Sequence, residues 1–126
     1  ALANLPSLGI NIATFVNSPA AGSARTGYSV AGVGNVLGGV VPNGSFSGDV
    51  AIGAPSATVG GNINTGAVYV IPGSFLASVQ TQTILLQNVG QGTVPGVIFT
   101  GVASSDQAGF SVAGAGDVDG AITSTN

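Results

Sequence analysis

GYSVAGVGNV at residues 27–36 and GFSVAGAGDV at residues 109–118 are two copies of one segment, aligned without a gap at an offset of 82. Most of the ten positions are identical, and the aromatic exchange is conservative, Tyr28 against Phe110. A further strand-like stretch stands upstream of each copy, IATFVNS before the first and VIFTGVASS before the second. Repetition of strand, loop and aromatic-Ser-Val-Ala strand points to a stacked or radial β architecture whose units bury their faces on each other.

Outward from these copies the whole chain reads as β. The 22 glycines and 6 prolines are spread over its length, and no long segment keeps apolar residues at spacings of three and four, so helices are not expected. Short β-branched and aromatic runs bounded by Gly, Pro, Asn and Ser recur instead. They predict strands at about residues 10–16, 28–33, 49–53, 66–71, 81–87, 97–102 and 110–115.

GYSVAGVGNV, then DVAIGAP (Asp49 to Pro55), then GAVYVIPG (Gly66 to Gly73), resembles one FG-GAP repeat, the blade unit of integrin α-subunit propellers and of many bacterial surface proteins. The resemblance covers residues 27–101 as one blade, with a second repeat starting at residue 109. It implies an all-β fold of antiparallel sheets, about one and a half blades, and no closed propeller within one chain, since closure takes about four to eight blades. Tyr28 and Phe110 would then cover a blade core, Ser29 and Ser111 would bond local backbone, and the small Ala31, Gly32 and Gly34 would permit close packing. Ala54-Pro55 would end a strand, because proline cannot donate to a ladder. A single domain over residues 1–126 is expected, with residues 1–26 as an N-terminal strand segment, residues 27–101 as the blade and residues 109–126 as the start of the next repeat.

Charge is the unusual feature of the composition. Only Arg25, Asp49, Asp106, Asp117 and Asp119 ionise at neutral pH, while Lys, Glu, His, Cys, Met and Trp are absent, leaving a net charge of −3. Ordinary soluble domains are roughly one quarter charged. Without a basic patch, nucleic acid and anionic membrane surfaces are poor partners. Residues 50–105 carry no charge, but Gly, Pro, Asn and Gln interrupt them every few positions, so membrane insertion is not expected. With 44% apolar residues the chain has the material for a core. A surface made of Ser, Thr, Asn, Gln and Gly does little to repel its own copies.

Candidate sites are few. In FG-GAP repeats the loop after the first strand often binds calcium through alternating acidic residues converging on one cation. The resemblance places such a site at Asp117 and Asp119 in the second copy, where Ala121 and Ile122 stand in place of a third acid and a glycine. The first copy offers only Asn35 and Asp49 around a longer apolar insertion. Asn43-Gly44-Ser45 is a glycosylation sequon in that insertion, and clustered Ser and Thr permit O-linked sugars. The Gly32-x-Gly34 and Gly114-x-Gly116 turns lack the third glycine and the following helix of a phosphate-binding loop. Catalysis would have to rest on paired aspartates alone, with no base to orient a serine, so an enzyme is not expected.

Two function classes follow. The first is a secreted, extracellular structural protein that polymerises head to tail with other copies of itself into a surface filament or fibril, carrying glycans. In it, residues 1–16 engage the next subunit, and their deletion abolishes polymerisation. The alternative is a fragment of an integrin-like propeller used for adhesion or ligand binding, with calcium.

Overall fold

The computed structural model describes residues 12–17, 23–39, 43–45 and 47–116. The fold is all-β. Strands β2 (Ser29–Gly34), β3 (Asp49–Ala54), β4 (Ala67–Ile71) and β6 (Val97–Thr100) form an antiparallel sheet in the order β2-β3-β4-β6. Strand β1 (Ala13–Val16) pairs in parallel with β5 (Gln82–Leu85) in a second sheet of two strands. No sheet among the described residues closes on itself.

Register fixes what each face carries. Because side chains alternate along a strand, the cross-strand row Val30, Ile52, Tyr69 and Ile98 lies on one face of the large sheet, and the row Ser29, Gly53, Val68 and Phe99 on the other. The first face makes the core: Ile52, Ala54, Tyr69 and Ile71 are buried in one cluster with Val79, Ile84, Leu86, Val89 and Val94, and Phe15, Phe75 and Ile98 pack against it. The β1-β5 pair supplies Phe15 opposite Ile84 to that cluster. Residues 73–95 therefore close one side of the sheet.

The strands differ from the sequence reading mainly at their ends. The run expected at 81–87 stops at Leu85 and becomes a 3-10 turn, Leu86–Asn88, in which Val89 N–H donates to the Leu86 carbonyl (3.1 Å) and Leu86 turns fully into the core. The run expected at 97–102 stops at Thr100, since Gly101 N–H donates sideways to the Gly66 carbonyl (3.2 Å) and the next two N–H groups go to Asp106. Residues 110–115 form no strand: no described segment offers them a ladder partner, and a strand exists only through its neighbour. Residues 10 and 11 of the first expected strand lie outside the described residues.

One short helix, α1 (Gly73–Ser78), forms where none was expected. Pro72 starts it, a position where a missing N–H costs nothing, and its carbonyl accepts from Phe75 and Leu76 N–H at 3.1 Å each. Six residues make fewer than two turns, too few to print a 3.6-residue period in the sequence.

Candidate functional site

The turns that open the two copies of the repeated segment share their backbone conformation. Arg25 (φ 53°) and Gln107 (φ 54°) stand three residues before the aromatic, and Gly27 (φ 81°) and Gly109 (φ 84°) one residue before it. Tyr28 N–H donates to the Arg25 carbonyl and Phe110 N–H to the Gln107 carbonyl, both at 3.0 Å. Each copy is thus a tight turn that feeds an aromatic-Ser-Val-Ala stretch, with glycine supplying the positive φ.

The two copies also meet. The Tyr28 and Phe110 rings are 5.0 Å apart between centroids and tilted by 43°, within the range of favourable aromatic pairs. Ser29 Oγ donates to the Gly109 carbonyl at 2.8 Å, so Ser29 bonds the backbone of the other copy rather than its own. Gly109 lies against Gly53, and Gly114 lies over Gly32 and Val33, in both cases so closely that a methyl group on the glycine would collide with backbone. Residues 109–114 therefore run across β2 and the adjoining end of β3. The remaining contacts leave Tyr28 and Phe110 51% and 53% exposed.

Further apolar side chains are exposed at both edge strands of the large sheet. Val30 (59%) projects from β2, Phe99 (58%) from β6, and Val102 (86%) from the loop that follows. A cleft between α1 and β5, lined by Phe75, Gln82, Thr83, Ile84 and Val94 among others, contains no ionisable side chain.

The acidic residues act on the backbone. Asp49 is 1% exposed; its Oδ2 accepts from Leu37 N–H at 2.7 Å and its Oδ1 from Gly73 N–H at 2.9 Å. Two such donors are what a buried carboxylate needs in place of water, and they fasten the loop after β2 to the start of α1. Asn35 follows the β2 residue paired with Asp49; its Nδ2 donates to the Gly39 carbonyl at 3.4 Å, and its buried Oδ1 has no hydrogen-bond partner. Among the described residues of this loop, one amide oxygen and one engaged carboxylate are fewer than the six to eight oxygens calcium takes. Among the described residues no three His, Cys, Asp or Glu side chains come together. Asp117 and Asp119 lie outside the described residues.

Asp106 is a feature that the sequence reading passed over. Its Oδ2 accepts from Ala103 and Val102 N–H, each at 2.8 Å, and these two bonds hold its carboxyl below the usual carboxylate range. The D-x-G spacing of a turn was absent there, but an aspartate within four residues of a strand end is the available signal for such a cap. The loop it closes is docked on residues 62–66 by Ser105 N–H to Ile63 (3.1 Å), Gln107 N–H to Asn64 (3.1 Å) and Ala108 N–H to Thr65 (3.0 Å). Asn43 is exposed, and its Oδ1 accepts from Ser45 N–H at 3.0 Å, which folds the sequon into an Asx turn. Tyr69 is buried with its hydroxyl donating to Asn17 Oδ1 at 3.2 Å; burial raises its pKa above the ordinary value, and the bond to Asn17 partly offsets this.

No helix among the described residues is long and apolar enough to cross a membrane. Compared with known proteins, the chain matches no family model, no curated protein and no solved structure, so the FG-GAP resemblance rests on the residues that carry it.

Proposed function

We propose that this chain is a non-enzymatic structural protein of the cell exterior that assembles head to tail with copies of itself into a surface filament or fibril. The observation that carries this reading is the combination of exposed Tyr28, Val30, Phe99, Val102 and Phe110 with a chain of net charge −3 and a single cation. Exposed apolar groups favour association, and so weak a charge does little to oppose contact between like surfaces. Among the described residues the outer edge of β2 has no strand partner, which adds unpaired backbone groups.

The chemistry available supports a role without catalysis. His, Cys, Lys and Glu are absent from the sequence, and Asp49 and Asp106 each spend their carboxylates on backbone N–H groups. Asn43, exposed in its Asx turn, is the residue at which carbohydrate would be attached, adding hydration that the missing charges do not provide. Electron microscopy of the purified chain over a range of concentrations tests the proposal. Filaments with a regular repeat are expected, whereas separate compact particles at every concentration would overturn it in favour of a ligand-binding or adhesion module.

A further inference from the structure

Gly32 leaves the open face of β2 without a side chain, at the point where the β2-β3 register shifts between Gly32 and Gly34. It stands in the interior of β2, exposed, without a positive φ, and a methyl group added to it would meet none of the described residues within 4 Å. Glycine at such a place weakens a strand; besides a register shift, the reason for it in sheets is the close approach of another backbone. The second copy of the repeat shows that reason directly: Gly114, the counterpart of Gly32, lies so close to the Gly32 carbonyl and Val33 Cα that only a glycine fits. The valines before them differ in the same sense, since Val112 is partly covered and Val30 is 59% exposed.

From this we infer that the free side of β2 in one copy, formed by Tyr28, Val30 and Gly32, docks on residues 110–116 of a second copy of this chain, repeating between molecules the contact that the two segments make within one. The inference rests on the self-assembly proposed above and names its interface. The occupant is specified by the chain itself, because residues 27–34 carry nearly the same sequence as the segment already seated on β2. Shifting the internal contact by one repeat sets Tyr28 of the second copy on the open side of Phe110. It also points Ser111 Oγ at the Gly27 carbonyl, as Ser29 Oγ points at the Gly109 carbonyl. Residues 111–116 have no ladder among the described residues and all but Val112 are exposed. A contact between two different surfaces of the same molecule does not satisfy itself, so it propagates.

The test uses Gly32→Ala together with cysteine pairing. The space around Gly32 and its ordinary φ predict that Gly32→Ala folds with an unchanged or slightly raised melting temperature, yet loses assembly at concentrations where the parent chain assembles. Because the sequence has no cysteine, a mixture of Thr26→Cys and Ser111→Cys chains, each with Gly32 intact, should form a disulfide-linked heterodimer under mild oxidation. If the parent assembles while Gly32→Ala assembles equally well and the mixed cysteines do not cross-link, this interface is wrong and self-assembly stands. If the parent stays monomeric throughout, both are overturned.

Discussion

Tyr69 shows how far one buried hydroxyl is committed. Its ring belongs to the core cluster while its hydroxyl reaches Asn17, just beyond β1. Ionising it would place a phenolate in an apolar site, which is why its pKa stands above the ordinary value. A raised pKa on an acid means that the folded chain holds the proton more tightly than the unfolded chain does. The resulting stability is fully present below the unfolded tyrosine pKa of about 10 and is lost as pH rises through the higher folded value. Ultraviolet titration should therefore give a late, unfolding-linked ionisation that is missing in Tyr69→Phe; a titration that Tyr69→Phe leaves without loss of any late step would contradict the burial. Neither this role nor that of Asp49 was legible in the sequence. A run such as DVAIGAP offers an aspartate as a loop ligand, and only the fold reveals that Leu37 and Gly73 N–H groups have already taken its oxygens.

Among the elements, those that are held by pairing across β-branched runs were readable. Strands β2, β3, β4 and β6 fall within a residue or two of the expected limits because Val, Ile, Tyr and Phe alternate there between turn residues. Expectation failed where a tertiary partner decides the state. Leu86 leaves β5 to fill the core, α1 is too short to be periodic, and residues 110–115 keep a strand sequence without a strand. Gly53 was read as part of a strand ending, but its role is spatial. An added methyl group would strike the Gly109 carbonyl and Ser29 Oγ, both part of the junction between the repeats. Gly53→Ala should thus cost about 2 kcal/mol, in the range of overpacked cores, and should uncover Phe110. Chemical denaturation measures the first, and proteolysis after Phe110 the second. A variant as stable and resistant as the parent would mean that residues 109–114 do not sit on β3.

For the whole molecule, the charge count sets how association responds to its surroundings. Contacts among charged surfaces weaken as salt shortens the Debye length to about 8 Å at physiological ionic strength. A surface with one arginine and few aspartates has little to screen. Assembly should consequently change little between low and physiological salt, and should strengthen with excluded salts such as sulfate, which favour apolar burial. Light scattering across a salt series would show this, and dissolution of assemblies by modest sodium chloride would point to ion pairing instead. Deleting residues 1–16 is a poorer probe, because β1 pairs with β5 and brings Phe15 against the core, so the deletion disturbs folding and assembly together.

The parallel pairing of β1 with β5 also imposes an order of events on the growing chain. Ala13 meets Gln82, and nearly the whole of the large sheet lies between them in sequence. Contacts this distant pay their loop-closure entropy before they return any stability. Strands β2, β3 and β4, joined to one another in succession, can pair as soon as they leave the ribosome, while β1, made before them, must wait for β5. Until then Phe15 and the apolar face of the sheet stay uncovered, and that interval is when a newly made chain is most open to premature contact with its neighbours.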